Sequence, residues 1–189
     1  MQRDGLLVSP FFMSAVATIT ESLVGEHITR AVTGVFKIML GRSIVPKGGD
    51  RGSVAKSQPV DPEAVASGIR VIVGQVGLVG QINGFTYLLF EESFAKECVA
   101  AMLSLDAREL ASLGAEAIND AIGELANMTM GSFKNGLCDA GLPCMLTLPS
   151  ILTACDFFVA APPRWAHRYH YPFDSHGHRV AVDVLLKIE

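Results

Sequence analysis

The sequence predicts an α+β fold, an antiparallel sheet with helices packed on one face. Three observations lead there. Runs rich in β-branched and aromatic residues come in neighbouring groups joined by short turns, which suits antiparallel pairing better than βαβ crossovers. One long stretch, from Asp106 to Lys134, keeps a helical repeat of apolar residues. Half of the 189 residues are hydrophobic and only 18% are charged, so the chain can enclose a core and is not disordered. The length fits a single domain over 1–189, with an inserted loop at about 41–67.

The elements follow in order. Leu6 to Ile19 is apolar enough to imitate a secretory signal, but Asp4 offsets Arg3 and Pro10 interrupts the run. Ser9-Pro10 instead opens a helix, with Ser9 as N-cap and Pro10 at the first helical position. Phe12, Val16, Ile19 and Leu23 then recur at helical spacing, and Gly25 offers a stop. Ile28 to Leu40, rich in Val, Thr, Ile and Phe, reads as a strand. Gly41 to Ser67 turns to Gly, Pro, Ser and Lys, a long connection that is either an excursion or carries a short helix around Glu63 to Ala66. Its basic residues Arg42, Lys47, Arg51 and Lys56 read as a solvated loop.

Ile69 to Phe90 reads as a hairpin turning at Asn83-Gly84, a dipeptide suited to positive φ. Ser93 is placed to cap a helix through Met102 that buries Phe94, Cys98, Ala101 and Met102. Asp106 with Glu109 forms a capping box that starts the long helix, and Asn135-Gly136 suits its end. Met145 to Leu152 is a strand whose Pro149 implies an edge or a bulge. Trp165 to Tyr171 and Arg179 to Ile188 straddle a turn around Asp174 to Gly177.

The composition narrows the function. A net charge of −4 argues against a nucleic-acid binder, which needs a basic face. No stretch approaches the roughly 20 continuous apolar residues of a membrane span. The four cysteines, Cys98, Cys138, Cys144 and Cys155, form no CxxC pair and read as reduced thiols packed as small hydrophobes. His167, His170, His176 and His178 crowd the last hairpin, but His167 and His170 have opposite parity on a strand, so no metal site is expected. No GxSxG elbow, GxxxxGK phosphate loop or HExxH pair is present, and the glycines from Gly74 to Gly80 lie in strand-like surroundings.

The long helix carries the main functional signal. At about 100° per residue, Glu116, Asp120, Glu124 and Asn127 fall within roughly a quarter-turn. Ile118, Ile122, Leu125 and Met128 point the other way. Gly123 within the stripe and Gly131 beside it leave bare backbone that an incoming surface can approach. The bland reading is a solvated face whose acids happen to align. The chemical reading begins from the carboxamide of Asn127, which has no useful pKa but both donates and accepts hydrogen bonds, and so can orient a water. Phosphoryl transfer to water depends mainly on such positioning. Glu124, one turn before, can pair with a partner's lysine and set the docking register.

The run DAIGELANM from Asp120 to Met128, followed by Gly131 and Lys134, resembles the signature helix of the CheX-like chemotaxis phosphatases. Phe11-Phe12 and the first helix resemble the family's opening. The hairpin from Val76 to Gly84 followed by Phe94-Ala95, and the Thr147 to Ile151 strand, resemble its later parts. The resemblance implies a cytoplasmic protein that removes the phosphoryl group from the aspartate of a CheY-type receiver domain. Glu124 would dock against the receiver's lysine, and Asn127 would orient the attacking water. Glu116, Asp120, Gly123 and Gly131 would line the docking face. The resemblance assigns Mg²⁺ to the receiver and none to this chain. Related CheC proteins carry two such motifs. Here the first helix has Glu21 but Val24 where the second asparagine would fall, which implies the one-site CheX arrangement, typically a homodimer. Ser132 stands where the family often has Asn, and the 41–67 insertion and His-rich hairpin also depart from its pattern. A non-catalytic receiver-binding module on the same fold is the alternative.

Overall fold

The computed structural model describes residues 19–48, 52–53, 68–155 and 166–187. Helix α1 runs from Glu21–Leu40, followed by two short strands, β1 (Val45–Pro46) and β2 (Gly52–Ser53). A hairpin of β3 (Val71–Gly80) and β4 (Asn83–Glu91) leads into α2 (Glu92–Leu103), α3 (Ala107–Ser112) and α4 (Ala115–Asp139). Strands β5 (Cys144–Leu146), β6 (Ser150–Ala154), β7 (Ala166–Ser175) and β8 (His178–Lys187) complete the order. All the described strands join one antiparallel sheet in the order β1-β7-β8-β4-β3-β5, with β2 also on β7 and β6 also on β3.

The predicted α+β architecture is present. α1, α2 and α4 pack their apolar faces on one side of the sheet. Phe36, Phe90, Phe94, Phe133 and Phe173 are fully buried in that core. A smaller cluster of Val71, Val73, Tyr87, Leu89 and Ala181 lies on the opposite sheet face.

Ile28 to Leu40 is not a strand but the body of α1, and Gly25 does not end the helix. Val24, Ile28, Ala31, Val32, Val35 and Phe36 are buried at helical spacing, and that periodicity outweighs β-branched content once the face packs on α4. Thr20 caps the start by accepting a hydrogen bond from Leu23 N (3.2 Å), and Gly41 ends the helix with φ 60. The expected opening at Ser9-Pro10, with Phe11, Phe12 and Val16, lies outside the described residues. So does the helix around Glu63 to Ala66. At Gly25 the absent side chain admits Tyr171, whose ring would stand 3.1 Å from a Cβ there. The Tyr171 hydroxyl donates to the Glu21 carbonyl (3.2 Å), tying α1 to β7.

The first hairpin turns at Gln81-Ile82, and Asn83-Gly84 opens β4 instead. Asn83 clamps the turn from that position: its Nδ2 donates to Gly80 O (2.9 Å) and its Oδ1 accepts from Gly80 N (3.3 Å). Gly84 is needed for close approach rather than for the turn, because a Cβ there would collide with the Leu185 carbonyl across the pair. In the second hairpin His176 (φ 55) and Gly177 (φ 90) form the turn between β7 and β8, where the sequence places it.

The long helix is divided. The capping box forms as predicted: Asp106 Oδ1 accepts from Arg108 N and Glu109 N (both 2.8 Å), and Glu109 Oε2 accepts from Asp106 N (2.8 Å). Yet it starts only α3. Extended backbone at Leu113 and Gly114 breaks the chain before α4. α4 then runs past Asn135-Gly136 to Asp139, because Gly136 is a packing site where His27 of α1 presses in. Ser93 does not cap α2, whose N-cap is Glu91. Its buried side is Phe94, Ala95, Cys98 and Val99, with Ala101 and Met102 packed at the margin.

Pro149 marks both an edge and a bulge. β3 residues 75 to 78 pair with Ser150 and Leu146 at the two ends, so three steps on β3 face four on its partner. The extra residue splits the predicted Met145 to Leu152 strand into β5 and β6.

Candidate functional site

α4 positions the stripe. Its buried residues Ile118, Ala121, Ile122, Leu125, Ala126, Met130 and Phe133 fix the helix on the sheet and on α1. Ala126 packs tightly on the sheet: a Cβ on Gly74 of β3 would lie 2.6 Å from the Ala126 methyl. The residue after this close contact is Asn127.

Glu116, Asp120 and Glu124 are exposed, and Asn127 is half-buried at the flank of the same face. Neither the Glu124 nor the Asn127 side chain forms a hydrogen bond or ion pair with another described residue. Among the described residues, nothing holds either polar end. Glu124 and Asn127 are neighbours across one helical turn, about 5 Å along the axis. Gly131 continues that side of the helix, and a Cβ built there would meet nothing within 4 Å. Met128 is only partly buried against the core.

Gly123 departs from the expected picture. It is buried, and a Cβ on it would lie 3.7 to 3.8 Å from Ile151 and Pro149. The backbone there is roofed by the start of β6 and is not offered to a partner. The sequence hid this because Pro149 and Ile151 reach α4 only through the sheet edge. Pro149 and Ile151 thus frame the site without belonging to the helix motif.

α1 carries no equivalent. Glu21 is in its first turn, but Val24 is fully buried. Beside Glu21 an open depression of about 450 Å³ is lined by Ser22, Gly25, Gly52 and Tyr171. It lies on α1, β2 and β7, whereas the stripe is a convex helix face suited to another protein surface.

The histidines take separate surroundings. His167 and His176 are exposed. His178 stacks on Phe94 (4.5 Å between centroids) and lies 3.5 Å from Glu97. His170 Nδ1 is 3.7 Å from Asp183 Oδ2, whose carboxylate is already held by Arg168 through bonds of 2.9 and 2.8 Å. Among the described residues, no three His, Cys, Asp or Glu side chains gather as a metal site. None of the described helices is long and apolar enough to cross a membrane.

Residues 72–174 match the family model of the chemotaxis phosphatase CheX, more than half of the chain. The chain belongs to the CheX family. No curated protein matches it in sequence. Solved CheX structures share the fold at low identity. The chemotaxis protein CheX of Desulfovibrio desulfuricans is 21% identical with a TM-score of 0.69, over 87% of this chain and 99% of that one. CheX of Vibrio vulnificus is 19% identical with a TM-score of 0.66, over 87% and 99%. CheX of Borrelia burgdorferi, solved in a CheX-CheY-BeF3-Mg²⁺ complex, is 17% identical with a TM-score of 0.58, over 90% and 99%. The matched CheX region contains the whole of α4 and the β5–β6 edge.

Proposed function

We propose that this chain hydrolyses the aspartyl phosphate of a CheY-type receiver domain, with Asn127 orienting the water and Glu124 docking to the receiver's lysine. The observation that carries this reading is a carboxamide and a carboxylate, one turn apart, that have no side-chain partner among the described residues and lie beside the open backbone of Gly131. Membership of the CheX family supports it, as does a relative that was solved in complex with CheY.

The chemistry asks little covalent work of this chain. The Asn127 amide aims a water at the phosphorus, in line with the acyl oxygen. Water forms the new P–O bond, the aspartate carboxylate leaves, and inorganic phosphate is released. The reading assigns the Mg²⁺ to the receiver. Glu124, facing solvent, contributes through charge pairing, which sets register and on-rate and weakens with salt. Exposed Glu116 and Asp120 extend the acidic face. A homodimeric, cytoplasmic protein belongs to the same reading.

The test is the decay of phosphorylated receivers from the same host, with and without this protein. Asn127→Ala is expected to lower kcat by about a hundredfold or more while the melting temperature holds. Glu124→Ala should mainly raise KM. Should no phosphorylated receiver decay faster with the wild-type protein, hydrolysis is ruled out. Binding without acceleration would then favour a non-catalytic module.

A further inference from the structure

We propose that Leu148 is a positioning residue that seats an apolar patch of the receiver next to its phosphorylated aspartate. This rests on the reading above, in which the α4 face meets a receiver. Leu148 is 88% exposed, more than any other large hydrophobic side chain among the described residues. Exposure alone says little, since scattered surface leucines are ordinary. The way the chain holds this one says more.

Leu148 occupies the bulge between β5 and β6, and both of its neighbours are fixed. Thr147 N donates to the Gly77 carbonyl (3.0 Å), and Gly77 N donates to Thr147 Oγ1 (2.9 Å). The fit leaves no room at Gly77, where a Cβ would stand 2.8 Å from the Thr147 methyl. On the other side Pro149 packs over Gly123. The side chain between them is carried outward on a rigid mount rather than on a loose loop.

Its place along α4 follows from the two ends of the contact. Cys138 Sγ lies 3.9 Å from the Cys144 carbonyl, while Gly123 meets Pro149 and Ile151. Helix and edge therefore run antiparallel side by side. The Thr147-Leu148 bulge falls between those contacts, alongside the turns that hold Asn127 and Gly131. Asn127 is rotated from Gly123 by about 40° on the helix, so it leans toward this edge. The bulge that carries Leu148 thus runs beside the stretch of α4 that carries the carboxamide and the carboxylate. In such an arrangement the apolar anchor supplies affinity and the charge pair supplies register.

The experiment compares wild type, Leu148→Ala, Leu148→Asp and Met145→Asp. Met145 is a control on the same edge: it is 69% exposed, but Cys144 and Leu146 turn inward on either side, so it faces the far side of the sheet. Dephosphorylation is followed over a range of receiver concentrations. Affinity is measured by titration with the receiver activated by beryllofluoride and Mg²⁺. Leu148→Asp is expected to raise KM and Kd about tenfold, with kcat within about twofold and an unchanged melting temperature. Leu148→Ala should fall between, and Met145→Asp should match wild type. The proposal is overturned if Leu148→Asp matches wild type, or if Met145→Asp weakens binding equally. Wild-type protein that binds the activated receiver without hydrolysing phosphate would sink the phosphatase reading alone, and the Kd series would still decide Leu148. Failure to bind any receiver would sink both.

Discussion

Two glycines near the site behave oppositely, and the difference lies in what a single methyl would touch. At Gly74 an added Cβ would stand 2.6 Å from Ala126, on a helix that cannot yield without lifting Asn127. Gly74→Ala is expected to cost about 1–3 kcal/mol in denaturant unfolding and, on the proposed function, to slow receiver dephosphorylation through misplacement. At Gly123 the same methyl would find contacts of 3.7 to 3.8 Å, which is ordinary packing. Alanine there also gains helix propensity, so Gly123→Ala should be neutral or more stable by roughly 0.5–1 kcal/mol. If Gly123→Ala keeps the fold but loses receiver binding, the partner needs that backbone bare after all. The sequence presents both positions simply as glycines. Only the neighbours each meets, Ala126 for Gly74 and Pro149 with Ile151 for Gly123, separate a glycine that permits contact from one that has room to spare.

At the scale of elements, legibility tracks how local the determining interaction is. The capping box at Asp106 and Glu109 and the His176-Gly177 turn are read correctly because each is settled within four residues. α1 is misread from Ile28 to Leu40 because the residues that favour a strand by type are placed at helical period, and the deciding surface belongs to α4. Asn83-Gly84 is misplaced for a similar reason, since Gly84 answers to the Leu185 carbonyl across the sheet. The β7–β8 hairpin holds a feature with no sequence signal at all. Arg168 and Asp183 form a bidentate ion pair with both side chains 1% exposed, although Arg168 is paired in register with Leu185 and Asp183 with His170. Removing one partner strands a buried charge. Asp183→Ala should therefore cost about 3–5 kcal/mol in chemical denaturation, and the double replacement Arg168→Met with Asp183→Leu should recover much of it. If the single variant is as stable as wild type, the pair is not the constraint its burial implies.

Across the whole molecule, the helix layer and the sheet share one continuous core, and the stripe on α4 is one of the faces of that layer left toward water. The stripe was legible because exposure on a helix follows from period alone. Its neighbours at Leu148 and Pro149 were not, because they arrive through a sheet edge and a one-residue bulge. Thiol chemistry offers a test of how firmly this layer is closed. Burial pushes the Cys98 thiol on α2 up to about 12, and the buried Cys144 up to about 11 with the neighbouring Cys138 adding to the effect. Cys155 at the end of β6 is exposed. In neutral buffer a maleimide reagent should label Cys155 at once, whereas Cys98 should react only as the molecule unfolds. The sign with pH follows from the raised value. A group that is harder to ionise when folded adds stability below the ordinary thiol value of 9.0, and that stability is lost as pH climbs toward about 12. Labelling of Cys98 should therefore accelerate above pH 9 more steeply than thiolate formation alone explains, and Cys98→Ser or Cys98→Ala should flatten the alkaline fall in melting temperature. Native-state labelling of Cys98 at the rate of Cys155 would mean that α2 opens freely from the sheet, and α4 would then lack the rigid backing that the proposed docking face requires.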